Sequence, residues 1–188
     1  MQGIPLNERK RLGALLDDRP QTEVMAMIPQ FSQAETDNFV APPAQIPEAL
    51  GVLMFNMERG VNLPEIQEFL QDCPDIQPFD VILANELDDG CARSGNKNTA
   101  RELAQAFGLN YAWGLEFIEL VNDENAKGFH GNAVFSRWPI RRAGVIRLPE
   151  QYNWYFDRQK RIGGRLAVYA ELDVGGQPVG AVSIHLEN

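Results

Sequence analysis

Two short apolar runs separated by a helical segment constrain this chain most. Val52-Leu53-Met54-Phe55 ends at Asn56, and Val81-Ile82-Leu83-Ala84 ends at Asn85-Glu86. Each run is too short for a helix of its own and reads as a buried strand. Between them Glu58-Arg59-Gly60 makes a turn. Asn62 is placed to cap a helix, Pro64 falls in its first turn, and Ile66, Phe69 and Leu70 form its apolar stripe. Pro74 and Pro78 close that helix. A strand-helix-strand unit brings its two strands close together and parallel. Asn56 and Glu86 then stand at strand carboxyl ends on one edge of the sheet. An amide oxygen beside a carboxylate is oxygen ligation of the kind a hard cation takes.

The second strand leads into Asp88-Asp89-Gly90 and Ser94-Gly95-Asn96, where the chain turns. Ala100, Leu103, Ala104 and Phe107 then recur at helical spacing, with Gly108 where a C-terminal cap belongs. Arg93 and Lys97 lie before this helix. Cations there oppose the helix dipole, but they suit an anion docked on the backbone amides. Arg93 and Lys97 are therefore candidate phosphate ligands, while Arg101, inside the helix, reads as a solvated basic face.

Further along, Tyr111, Trp113, Leu115 and Phe117 alternate as a strand does. Asn122–Phe129 is a polar loop, and Gly131–Phe135 and Arg142–Leu148 are two more short strands. Pro149–Lys160 is an aromatic loop, which serves as a substrate platform or, more often, covers a core edge. Arg165–Val174 and Gln177–Leu186 form a hairpin through Gly175-Gly176. Upstream, Asn7–Asp18 has the spacing of a short helix. Residues 1–47, proline-punctuated and weakly periodic, read as a leader or linker ahead of a domain at 48–188.

The 188 residues suit one domain or a piece of one. No apolar run is long enough to span a bilayer, and no secretory h-region follows the N-terminus. Two cysteines without metal-ligand spacing read as free thiols in a reducing, cytoplasmic setting. A formal charge of −9 and a pI near 4.7 oppose non-specific nucleic-acid binding. They do not exclude a nuclease, because a local basic patch and bound cations can override net charge.

Taken singly, the candidate residues leave alternatives open. Glu86 reads equally as a solvated strand end, and Asn56 alone as a turn residue. His185 closes the last strand, as a structural histidine or as a hydrogen-bond donor to a phosphoryl oxygen. Asn132, beside Gly131, orients a phosphate or makes a turn. His130 reads as a loop histidine without a task.

Four segments, FNMERG, DVILANELDD, HGNAVFSRWPI and AVSIHLEN, occur in the order and rough spacing of the endonuclease/exonuclease/phosphatase superfamily, and from Leu50 to Asn188 the chain resembles it. Its members are magnesium-dependent phosphoesterases, including pancreatic-type deoxyribonucleases, abasic-site endonucleases, neutral sphingomyelinases, inositol polyphosphate phosphatases and deadenylases. The resemblance implies an α/β fold, a four-layer αββα sandwich. It implies Mg2+ or Mn2+ held by Glu86 and Asn56, and His185 on the scissile phosphate. Asn85 stands where the family usually has Gln. The family's later Gly-Asp-x-Asn and Ser-Asp-His motifs are not in the sequence. The expectation is therefore the N-terminal half of a catalytic domain, inactive alone, with the other half in a full-length chain.

The expected function is metal-dependent hydrolysis of a phosphoester, in a small molecule or a nucleic acid. The alternative is a catalytically degenerate module of the same fold that binds a phosphorylated ligand. A doubly wound nucleotide-binding domain is disfavoured, because no Gly-rich loop follows the first strand.

Overall fold

The computed structural model describes residues 1–150 and 152–186. Its elements run α1 (Leu6–Ala14), α2 (Gln21–Ala26), β1 (Ala34–Asp37), β2 (Val52–Arg59), α3 (Leu63–Asp72), β3 (Val81–Asp89), α4 (Thr99–Phe107) and β4 (Asn110–Glu119). Then follow β5 (Phe129–Ser136), β6 (Ile140–Arg147), β7 (Arg161–Gly163), β8 (Leu166–Val174) and β9 (Gln177–Ile184). Six strands form one sheet in the order β1-β4-β5-β3-β2, with β7 also paired to β4. The other three form a second sheet in the order β6-β8-β9.

The expected strand-helix-strand unit is present, and β2 pairs with β3 in parallel. The other pairings in both sheets are antiparallel, which rules out the doubly wound parallel alternative. One apolar cluster joins the larger sheet to the helices, through Leu12, Val24, Leu70 and Leu103 against Leu87, Trp113 and Phe135. A second lies between the sheets, where Val81, Ala112 and Val134 meet Val168, Ala170 and Leu172. Two sheets packed face to face with helices outside are three layers of the expected four. On the outer face of the smaller sheet, Ile146, Val182 and Ile184 are exposed.

The segment read as a leader is part of this packed body. Leu12, Leu16, Val24, Ile28 and Phe31 are buried in the helix-side core, and β1 extends the larger sheet along β4. The prolines misdirect a reading from sequence because they begin helices here. Pro5 and Pro20 are the N-cap residues of α1 and α2, where a missing N–H costs nothing. With only six residues, α2 shows no readable period.

Gly108 caps α4 in the left-handed conformation, as expected, while the N-cap is Asn98, whose side chain accepts from the Arg101 N–H. Both strands of the parallel unit run past the ends read from the sequence. β2 continues through Arg59 and β3 through Asp89. Each does so by a bulge, and these bulges build the site.

Candidate active site

Three neighbouring strands bulge at the same level of the larger sheet. Between Asn56 and Arg59, β2 carries one residue more than β3 opposite it. Between Ala84 and Leu87, β3 carries one more than β5. Between Leu115 and Phe117, β4 carries one more than β5. A bulge leaves a residue out of the ladder and re-aims its side chain. The residues released here include Glu86, in the left-handed region at φ 59°, and Glu116. A left-handed glutamate is strained, so its conformation must be held. The Glu86 N–H donates to Oδ1 of the buried Asn132 at 3.2 Å.

Asn56 meets Glu86 as the parallel strands require, with Nδ2 donating to Oε1 at 3.1 Å. Its Oδ1 accepts from the Glu58 N–H at 2.9 Å. The last strand is stitched over the same rim. Ser183 Oγ donates to the Ala84 carbonyl at 3.0 Å and to Asn85 Oδ1 at 3.1 Å. Asn85 Nδ2 donates to the Ile184 carbonyl at 3.3 Å. These bonds bring His185 to the site, its Nε2 3.9 Å from Glu86 Oε1.

Behind this rim lies a buried charged layer. Glu116 is fully buried, its Oε1 accepting from Arg165 Nη1 at 3.2 Å. Its Oε2 is 3.9 Å from His130 Nε2 and 4.0 Å from His185 Nδ1. His130 Nδ1 lies 2.8 Å from Asp88 Oδ1, and Arg93 grips the same carboxylate with two bonds at 2.8 and 2.9 Å. Burial pushes the Asp88 carboxyl up, but the bonds from Arg93 and His130 outweigh it and hold the pKa at about 2. For Glu86, burial likewise raises the pKa. The Asn56 bond and the fields of His130, His185 and Arg59 prevail and lower it, so the carboxylate is charged at neutral pH. Burial is the largest influence on His185, and it lowers the imidazole's pKa, aided by Arg165 and His130 and opposed by Glu116 and Glu86.

Among the sequence candidates, the structure gathers Asn56, Glu86, Asn132 and His185 into one cluster. Arg93 is bound to Asp88 and Glu119, one layer behind His130, and its guanidinium is already engaged by carboxylates. Lys97 pairs with Glu102 and Arg101 with Asp37, so both have partners outside the cluster. His130 is the reverse case. It starts within β5, 3% exposed and hydrogen-bonded, so it is no idle loop residue. The aromatic loop borders the site through Trp154, whose ring lies 5.3 Å from the guanidinium carbons of both Arg161 and Arg165. An apolar cavity of about 350 Å3 opens elsewhere, beside Met25, Phe31, Arg147 and Leu148, with Arg165 also at its wall.

Among the described residues no group of three or more His, Cys, Asp and Glu side chains is placed to hold a metal ion. The rim offers one carboxylate and one amide, both hard donors. That suits Mg2+, which binds through one or two carboxylates and keeps water and phosphate as its other ligands. Two buried atoms of the cluster and the layer behind it, Asn132 Nδ2 and Glu116 Oε2, have no hydrogen-bond partner among the described residues.

Similarity to solved structures matches this architecture. An endonuclease/exonuclease/phosphatase family protein from Leptotrichia buccalis C-1013-b superposes with a TM-score of 0.51 at 19% identity, over 74% of this chain and 55% of the other. The chain has the endonuclease/exonuclease/phosphatase fold. A 3′ phosphatase from Neisseria, solved with a product DNA hairpin, is also similar, with a TM-score of 0.42 at 19% identity, over 73% of this chain and 41% of the other. The chain thus spans about half the length of the solved proteins it matches. No family model matches it, and no curated protein does. In this fold the Asn56–Glu86 rim is formed where two parallel strands bulge beneath the last strand of the smaller sheet.

Proposed function

We propose that this chain carries the metal- and phosphate-binding part of a phosphoester hydrolase site that works with magnesium or manganese. The observation that carries this reading is the convergence of Asn56, Glu86, Asn132 and His185 on one sheet rim, three of them bonded to one another. Glu86 and Asn56 would hold the cation. A cation so held neutralises charge developing on the phosphoryl and leaving oxygens. Asn132 fixes the strained Glu86 backbone from below. His185 stands at the rim with Nε2 toward Glu86, where it donates a hydrogen bond to a phosphoryl oxygen. Arg165 holds the imidazole from behind and is itself held by Glu116.

The test is Glu86→Gln, which keeps the shape of the side chain and removes its charge. Calorimetric titration with MgCl2 should show at least a tenfold weaker affinity, with an unchanged circular dichroism spectrum. Hydrolysis of bis(p-nitrophenyl) phosphate by the full-length protein should fall in parallel. A magnesium affinity and dependence equal to the unsubstituted protein's would remove Glu86 from the site and sink the reading.

A further inference from the structure

Arg59 lies on the same rim and has no assigned part in the reading above. It closes the β2 bulge three residues after Asn56, in register with Leu87, the neighbour of Glu86. The chain holds it there at a conformational cost. Glu58, Arg59 and Gly60 all have positive φ, at 46°, 68° and 66°, and for the two non-glycine residues that is strain. Three contacts fix the turn. The Glu58 N–H donates to Asn56 Oδ1, and the Gly60 N–H donates to the Met57 carbonyl at 2.9 Å. Gly60 also lies so close to Thr99 that a Cβ there would come within 2.7 Å of its methyl group.

What this turn presents is an uncompensated cation. The other guanidinium groups around the site face carboxylates, Arg93 with Asp88 and Glu119, Arg161 with Glu119, and Arg165 with Glu116. Arg59 is half-buried and forms no ion pair among the described residues. Its partner is a neutral amide, Gln159 Oε1, at a long 3.4 Å. Its charge contributes to the lowered pKa of Glu86. A planar guanidinium with unused donors matches paired phosphoryl oxygens.

We propose that Arg59 is a phosphate-binding residue of the Glu86 site, taking the phosphoryl oxygens of the substrate while Gln159 steadies its guanidinium. This rests on the phosphoester reading and assigns the anion contact that the sequence had placed on Arg93 and Lys97. Backbone strain at Arg59 is then the cost of aiming a free guanidinium at the place where Asn56 and Glu86 converge.

The experiment uses the 188-residue chain with inorganic phosphate as probe, in MgCl2, by calorimetry. Arg59→Gln should weaken phosphate binding at least tenfold, and Arg59→Lys should fall between the two. Magnesium binding without phosphate should be no weaker in Arg59→Gln, because the substitution removes a positive charge whose field reaches Glu86. Arg59→Gly removes the left-handed strain and should melt no lower than the parent while losing phosphate binding, which covers the case in which the Gln variant folds poorly. Phosphate affinity within twofold of the parent in both Arg59→Gln and Arg59→Gly would overturn the assignment, as would a parent that binds no phosphate. If the parent binds no magnesium, the hydrolase reading fails, and an Arg59-dependent phosphate affinity would still support the contact.

Discussion

Arg165 Nη1 lies 3.0 Å from Nδ1 of His185, and because a guanidinium can only donate, the imidazole must accept there. A neutral His185 then carries its proton on Nε2, the nitrogen that faces Glu86. The tautomer a phosphate-donating histidine needs is thus set by a residue behind it.

The first prediction is spectroscopic. Long-range proton–nitrogen correlation on the neutral form should show His185 protonated at Nε2. Its titration midpoint should lie below the ordinary 6.5, in the direction that burial drives it. A folded pKa lowered in this way means that the unfolded state binds the proton first. The contribution of His185 to stability is therefore present above about 6.5 and declines as pH falls through that value. A midpoint above 6.5, or a proton on Nδ1, would contradict the Arg165 contact.

The second prediction separates chemistry from packing at the same residue. The His185 side chain is 21% exposed at the rim, and removing it opens no closed core cavity. His185→Ala should lower phosphodiester turnover by the full-length protein about a hundredfold or more, the scale of one lost oxyanion donor. The melting temperature should move little. A large fall in melting temperature with near-normal turnover per folded molecule would make His185 a packing residue.

The third concerns acid stability. Asp88 is fully buried and its pKa falls from an ordinary 3.8 to about 2 on folding. A carboxylate depressed by that much contributes about 2 kcal/mol, present in full above about pH 4 and lost as pH falls toward 2. Urea unfolding at pH steps between 5 and 2.5 should show this loss. Asp88→Asn should be several kcal/mol less stable at pH 7, because Arg93 and His130 lose their anion. Its stability should then fall less steeply with acid. Equal slopes in the two proteins would remove Asp88 from the acid transition.

Much of the frame was legible in the sequence, because it rests on apolar periodicity and glycine caps. The runs at Val52 and Val81, the α4 stripe and the Gly175-Gly176 hairpin are local signals, although the first run forms an edge strand with Val52 and Met54 exposed rather than buried. Asn56, Glu86, Asn132 and His185 could be placed from strand ends and motif resemblance. The charged layer could not. Glu116 sits in the strand run Leu115-Glu116-Phe117, and nothing local says that a bulge turns it inward. A carboxylate inside a strand apolar on both sides was the available signal, since such a group needs a buried partner. Arg165 and His130 were hidden for the same reason, as their partners lie 49 and 42 residues away in sequence. Arg93 and Lys97 misled because a basic helix start suits an anion and a carboxylate equally, and here the carboxylates are supplied by the protein.

The last prediction tests whether the bulges make the site. Gly131 lies between His130 and Asn132, where β4 crowds against β5. A Cβ there would fall 1.9 Å from the Gly114 carbonyl oxygen and 2.8 Å from the Trp113 ring. Backbone cannot yield as a flexible side chain does, so Gly131→Ala must push the two strands apart. That movement acts on the bulge holding Glu116 and on Asn132, which fixes the Glu86 backbone. Gly131→Ala should cost about 1–3 kcal/mol or more and weaken magnesium binding at Glu86 in the molecules that remain folded. Gly144 provides the control. It lies in β6, with nothing within 4 Å of an added Cβ, and Gly144→Ala should be neutral or slightly stabilising. Thermal melts and magnesium titrations of the two variants decide the point. If Gly131→Ala lost stability but kept parental magnesium affinity, Glu86 would be held independently of the strand spacing. If both variants behaved like the parent, the close approach of β4 to β5 at Gly131 would have no structural consequence.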